Sequence, residues 1–245
     1  MAFRGVFFDL YGTLIAYGDM TAAWADWLSA LHSQLTRGGL TASRHDLAIA
    51  CDGFFARPEP PTDNNGLTVY ERRIRHLCRD LGLEPGPEVV HASAARSLHA
   101  WEQHVSLAPD AIPVLNALKP GRTLALISNF DHPPHVQLLL SELGLAPFFD
   151  AIVISGEVGF KKPDPRIFSP ALRQTGLAPS EVAYVGDTDD DMAGARAAGL
   201  SPIRVVRRSA DRVGVDFTAD PEDAEAETLP TLPIIRELSE LLSLC

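Results

Sequence analysis

A carboxylate at the end of a short apolar run constrains this chain more than any other feature. Val6-Phe7-Phe8 leads directly into Asp9-Leu10-Tyr11-Gly12-Thr13-Leu14. A run this short, closed by an acid and then Gly-Thr, predicts a buried strand over residues 3–9 that delivers Asp9 to its C-terminal edge. In open α/β sheets ligands bind at that edge, and an aspartate placed there is a candidate nucleophile. The residue two positions on is Tyr11 rather than a second acid.

Bulk properties narrow the setting. At 245 residues, with 46% hydrophobic and 22% charged residues, the chain can bury one sizeable α/β core, or a core plus a smaller domain. Its formal net charge of −11 comes with no long basic stripe, which argues against nucleic acid and anionic membrane as partners. Acids crowd Asp220 to Glu227, a run that reads as a solvated loop. Cys51, Cys78 and Cys245 lie far apart with no Cys-x-x-Cys pair, so neither structural disulfides nor a zinc site is expected and a reducing cytoplasm is the simplest setting. The first residues hold one Arg and an apolar run broken by Asp9, unlike a signal peptide. No stretch approaches the ~20 apolar residues of a membrane span.

Hydrophobic periodicity divides the chain. From residue 17 to 105, Trp24, Trp27, Leu28, Leu31 and Leu35 recur at helical spacing, followed by Leu47, Cys51, Ile74, Leu77, Val90, Ala94 and Leu98. The breakers Arg57-Pro58-Glu59-Pro60-Pro61 and Asp63-Asn64-Asn65-Gly66 interrupt them, and no strand is expected for roughly ninety residues. Beyond 105 the chain alternates. Strands are predicted at 123–127, 151–154, 182–185 and 203–206, with helices at 111–118, 135–143, 165–174, 189–198 and 234–242. Such alternation implies a parallel sheet covered on both faces. The expected fold is α/β: a Rossmann-like three-layer core, residues 1–16 and 106–245, with an all-helical cap domain, residues 17–105, inserted after the first strand.

Polar clusters follow the later strands as Asp9 follows the first. Thr123 to Ile127 runs into Ser128-Asn129, Ala151 to Ile154 precedes Lys161-Lys162-Pro163-Asp164-Pro165, and Val182 to Val185 runs into Gly186-Asp187, with Asp191 four residues on. In a parallel sheet these ends share one rim. Asp9, Asp187 and Asp191 cannot sit together ionised without compensation. One lysine offsets only part of this, so a hard cation is implied, and Mg²⁺ suits carboxylate and phosphate oxygens. Ser128, Asn129 and the backbone N–H groups of the Gly12-Thr13 turn are candidates to hold phosphoryl oxygens. Lys162 is placed to neutralise charge on the nucleophile and the transferring group. Asp131 and His132 are expected in a solvated loop, and Arg72 to Arg75 with His76 on an exposed helix face rather than facing substrate.

With these four segments in order, the chain resembles the haloacid dehalogenase (HAD) superfamily and, within it, the helical C1-cap phosphatase-like subgroup. Asp-Leu-Tyr-Gly-Thr-Leu, Ile-Ser-Asn, Lys-Lys-Pro-Asp-Pro and Val-Gly-Asp-x-x-x-Asp look like its four motifs, over nearly the whole chain. The resemblance implies that Asp9 attacks a small-molecule substrate and forms a covalent aspartyl intermediate that water hydrolyses. Thr13, Ser128, Asn129 and Lys162 would complete the catalytic set. Asp9, Asp187, Asp191 and the backbone carbonyl of Tyr11 would hold Mg²⁺. A monomer or homodimer is expected.

Two departures set the alternatives. Most phosphatases of the superfamily carry a general acid where this chain has Tyr11, and a phenol with a pKa of about 10 is a poor substitute. Asp-x-Tyr-Gly-Thr looks like the 2-haloacid dehalogenases, whose halide leaves without a proton. Those enzymes, however, place neutral residues where this chain has Asp187, and favour Tyr where it has Phe168. Metal-assisted phosphate hydrolysis is therefore the leading expectation, ahead of dehalogenation and of a weakly active member that binds a phosphorylated ligand.

Overall fold

The apolar run before Asp9 becomes a strand in the interior of a six-stranded sheet. The structure is a computed structural model that describes residues 3–62, 66–207 and 232–244. The acidic run from Asp220 to Glu227, Cys245 and the breaker residues 63–65 lie outside the described residues. In chain order the elements open with β1 (Gly5–Phe8), β2 (Ile15–Tyr17), α1 (Met20–Arg37), α2 (Arg44–Ala50), α3 (Val69–Asp80) and α4 (Pro87–Glu102). There follow β3 (Val105–Leu107), α5 (Ala111–Leu118), β4 (Thr123–Ser128), α6 (Pro133–Glu142), β5 (Ala151–Ile154) and α7 (Ser155–Val158). The chain continues with α8 (Ser169–Thr175), β6 (Val182–Gly186), α9 (Asp189–Ala197), β7 (Ser201–Val205), β8 (Ile234–Ile235) and α10 (Leu241–Leu244).

The sheet order is β5-β4-β1-β6-β7-β8, and every pairing is parallel. Gly5 lies level with Thr123 on one side and Val182 on the other, so the C-terminal ends of β1, β4 and β6 come out together. A parallel sheet needs cover on both faces, and β1 and β6 are buried along their whole length. Phe7, Ile127, Val153, Phe168, Tyr184 and Ala195 share one apolar cluster on one face. From β1 the chain moves to β4 and β5 on one side, then crosses to β6, β7 and β8 on the other. That reversal beside β1 is a topological switch point, where the crevice between strand ends receives ligands.

Residues 17–105 make up a compact helical unit, and the described residues of 3–16, 106–207 and 232–244 belong to the sheet-bearing unit. In the helical unit Trp27, Leu31 and Leu35 of α1, Ile74 and Leu77 of α3, and Val90, Ala94 and Leu98 of α4 are buried. A polar bridge runs through them: Trp27 Nε1 donates to the Tyr70 hydroxyl (2.7 Å), which lies 2.6 Å from Ser97 Oγ. Among the described residues no helix is long and apolar enough to cross a membrane.

Three local expectations are corrected. The helix expected over 234–242 begins instead as β8, because the open edge of β7 offers backbone partners: Arg204 N donates to Pro233 O (2.9 Å) and Val206 N to Ile235 O (2.8 Å). The helix expected over 165–174 is broken into a 3₁₀ turn, Pro165–Phe168, and then α8; Pro170 has no N–H to continue an α ladder. Arg72 and Arg73, expected on an exposed helix face, are buried. They donate to carbonyls of the proline-rich segment, Arg72 Nε to Pro60 O (3.3 Å) and Arg73 Nη1 to Arg57 O (2.7 Å), which supplies donors to a loop that has few of its own.

Candidate active site

Asp9 follows β1 with its backbone N–H still in the sheet, donating to Val185 O (2.9 Å), and the residue is 6% exposed. Lys162 Nζ donates to Asp9 Oδ1 at 2.5 Å and lies 2.7 Å from Asp191 Oδ1. Its two further contacts are the Ile127 carbonyl (3.1 Å) and the Tyr184 hydroxyl (3.0 Å). Lys161, its neighbour, points out and is exposed. One ammonium therefore serves two buried carboxylates.

Asp187 directly follows β6, and its approach depends on glycine. Gly12 has φ +90°, and a Cβ there would lie 2.1 Å from Asp187 Oδ2, so no other residue allows the loop after β1 to pass so close. A Cβ on Gly186 would likewise meet Asp191 Cγ at 2.5 Å. Thr13 is buried and donates through Oγ1 to Asp187 Oδ1 at 3.3 Å. Its carbonyl is gripped from behind by Arg207 (Nη2 2.7 Å, Nε 3.1 Å), which also pairs with Asp110. One oxygen of each of Asp9, Asp187 and Asp191 lies within 4.8 Å of the others.

Asp191 is held differently from its partners. Its Oδ1 receives Lys162 and the Tyr184 hydroxyl (3.0 Å). Its Oδ2 receives Asp187 N (3.1 Å), Thr188 N (3.0 Å) and Thr188 Oγ1 (2.8 Å). Five donors converge on two oxygens that offer about four lone-pair sites, so no acceptor capacity is left over. Thr188 and Asp191 also cap α9 reciprocally, so the same residues start the helix and orient the site.

Asn129, expected among the phosphoryl contacts, is engaged with the backbone of Lys162: its Oδ1 accepts from Lys162 N (2.8 Å) and its Nδ2 donates to Lys162 O (3.0 Å). Ser128 is buried at the end of β4. Tyr11 is buried and stacks on Phe130 (centroids 5.3 Å), which stacks on His135 (5.4 Å). His132, expected in a solvated loop with Asp131, is nearly buried. Its loop is tied to the start of α7, where Phe130 N donates to Ser155 Oγ (2.9 Å) and Gly156 N to Phe130 O (3.2 Å).

Burial dominates the electrostatics. It raises the Asp9 carboxyl, with Asp191 and Asp187 adding and Lys162 opposing, to a pKa of about 8. Burial also acts to raise Asp191, but Lys162 and the Thr188 donors outweigh it and its pKa is lowered. Desolvation would lower Lys162, yet Asp191 and Asp9 together raise it, so it stays an ammonium. Tyr184 is raised well above its ordinary value, by burial first, and stays a neutral phenol. With all three acids ionised, the cluster of Asp9, Asp187, Asp191 and Lys162 carries a charge of about −2, which suits a divalent cation with oxygen ligands.

Sequence reasoning missed Tyr184, Arg207 and Phe130. For Tyr184 a signal existed: a phenol inside the apolar run Val182-Ala183-Tyr184-Val185 must find a polar partner when buried. Arg207 lies far along the chain from Thr13 and carried none.

Residues 3–199 match the family model described as haloacid dehalogenase-like hydrolase, and residues 159–240 match a second HAD-hydrolase-like model. The chain is 32% identical over 174 residues to the glyceraldehyde 3-phosphate phosphatase of Methanopyrus kandleri, covering 70% of this chain and 74% of that one. It is 43% identical over 158 residues to the phosphoserine phosphatase of Thermus thermophilus, covering 64% of this chain and 58% of that one. Among solved structures, the 2-haloacid dehalogenase from Pseudomonas syringae pv. Tomato DC3000 superposes with a TM-score of 0.67 at 26% identity, over 99% of this chain and 97% of that one.

Proposed function

The chain belongs to the haloacid dehalogenase-like hydrolases, and from that membership we propose that it is a Mg²⁺-dependent phosphatase of small phosphorylated metabolites. The observation that carries this reading is the cluster of three acids within 4.8 Å served by one lysine, an excess of negative charge that dehalogenation has no use for. The two phosphatase-named relatives support it.

In this reading an oxygen of Asp9 attacks phosphorus, the bond from phosphorus to the ester oxygen breaks, and the leaving alkoxide takes a proton from solvent water. Water then attacks the aspartyl phosphate, freeing inorganic phosphate and restoring Asp9. Lys162 opposes the burial that raises the Asp9 carboxyl and faces the charge that builds on the transferring oxygens. Ser128 and the Thr13 N–H bind those oxygens; the Gly12 N–H, also expected there, is committed to Ile15 O (2.7 Å). Asp9, Asp187 and the Tyr11 carbonyl hold Mg²⁺, with Asp191 acting through Lys162, Thr188 and the Asp187 backbone. When bound, the ion supplies positive charge against the phosphoryl group. Tyr11 gives the leaving group no ready proton, so substrates with good leaving groups are favoured. We assign residues 17–105 to the family's helical C1-cap, the domain that selects the organic part of the substrate. The setting proposed is cytoplasmic, the assembly a monomer or homodimer.

A second reading, 2-haloacid dehalogenation, is favoured by Tyr11 and by the superposed dehalogenase. Parallel assays on an aryl phosphate and on 2-chloropropionate, each with Mg²⁺ and with chelator, separate the two. Phosphate release that needs Mg²⁺ supports the phosphatase, whereas chloride release that persists in chelator replaces it with the dehalogenase. Asp9→Asn abolishes either activity if Asp9 is the nucleophile.

A further inference from the structure

Tyr184 sits under the site with its ring buried edge-on against Phe168 (centroids 4.9 Å, 90°). Its hydroxyl lies 3.0 Å from Lys162 Nζ, 3.0 Å from Asp191 Oδ1 and 3.3 Å from the Ile127 carbonyl. Lys162 faces four acceptors: Asp9 Oδ1 (2.5 Å), Asp191 Oδ1 (2.7 Å), Tyr184 (3.0 Å) and Ile127 O (3.1 Å). An ammonium has three hydrogens and cannot serve all four at once. The hydroxyl alone among those four also donates, and one rotation changes which neighbour receives its hydrogen. When Lys162 serves Asp9, Asp191 and Ile127, the hydroxyl donates to Asp191. When Lys162 gives a hydrogen to Tyr184, the hydroxyl passes its own to Ile127.

We propose that Tyr184 is a positioning residue for Lys162, its rotatable hydroxyl taking up or returning one hydrogen bond as the lysine extends from Asp9 to reach the group being transferred as well. This rests on the reading of Asp9 as nucleophile. As the Asp9 oxygen bonds to the incoming group, that carboxylate becomes a weaker acceptor and charge collects on the transferred oxygens. Lys162 keeps one hydrogen on Asp9, turns a second to those oxygens, and with only three to give drops one of its lower contacts. With the phenol present, the Ile127 carbonyl or the Asp191 oxygen so released is covered again. Without it, a buried acceptor is left bare, which is costly. The cost falls on the transition state, so it lowers turnover rather than affinity.

The test is Tyr184→Phe beside wild type and Asp9→Asn, on an aryl phosphate with Mg²⁺ and on 2-chloropropionate, in steady-state and single-turnover runs with thermal melts. The expected result is an unchanged KM, a kcat lower by about tenfold, roughly one hydrogen bond to a charged group, and slower formation of the covalent intermediate in a protein that melts near wild type. An unchanged kcat overturns the proposal, as does a loss of kcat that only tracks a loss of folded protein. Should the phenylalanine variant not fold, Tyr184→Met fills the space without a hydroxyl and is read in the same way; if neither folds, the residue is structural and the proposal fails. A failure of the underlying reading looks different: wild type inactive on both substrates, or Asp9→Asn fully active.

Discussion

Asp9 and Lys162 set each other's charge, and neither can be replaced quietly. The ammonium is the cation shared by Asp9 and Asp191, so Lys162→Gln leaves two buried carboxylates facing each other. Loss of a preorganised charge contact of this kind costs about 10²–10³-fold in kcat, and steady-state assays of Lys162→Gln are expected to fall in that range. The raised Asp9 carboxyl, at about 8, makes a second prediction. Below pH 8 it holds a proton that Mg²⁺ must displace, so metal affinity rises from pH 6 to 8 and then levels, with up to one proton released per ion. Calorimetry in two buffers of different ionisation enthalpy reads that release directly; binding that ignores pH across this window would exclude Asp9 from the metal set. Asp9 itself was legible from its position after an apolar run. The phenol of Tyr184 was overlooked because a Tyr in a buried strand is most simply core.

At the scale of elements, α9 ties helix formation to the site. Thr188 caps the helix through Asp191 N (3.1 Å) while its own N–H and hydroxyl hold Asp191 Oδ2. Thr188→Ala removes a capping hydroxyl, which costs about 1 kcal/mol, and takes one of five donors from Asp191. The expected outcome is a melting temperature lower by a few degrees together with a weakened Mg²⁺ response; a lowered melting temperature with an unaltered Mg²⁺ response would reduce Thr188 to a cap. The strands β1, β4, β5 and β6 were readable because both-face burial makes them near-continuous apolar runs. The helix expected over 234–242 was not, because β8 forms only where the edge of β7 supplies partners, and no local pattern in Ile234-Ile235 announces that edge.

For the whole molecule, the burial of like charge links stability to pH. In the folded chain Asp9 titrates near 8, against 3.8 for its ordinary value. The fold therefore favours its protonated form: the stabilisation is complete below pH ~3.8, declines as pH rises, and is lost above ~8. In metal-free protein, Asp9→Asn, neutral throughout, is expected to gain melting temperature relative to wild type between pH 5 and 9; a constant difference would mean that Asp9 is ionised at both. Mg²⁺ at 100 times its Kd adds about 2.7 kcal/mol and offsets part of that loss in wild type. The sequence alone determined the alternation of strand and helix, the helical stretch from 17 to 105 and the four polar segments that follow apolar runs, because burial and periodicity are local properties of a chain. Only the tertiary structure decided that Asn129 grips the Lys162 backbone, that Arg207 holds the Thr13 carbonyl and that Tyr184 completes the lysine's contacts. Those partners are separated by 33, 194 and 22 residues, and nothing in the chain relates such positions until the parallel sheet brings its strand ends to one rim.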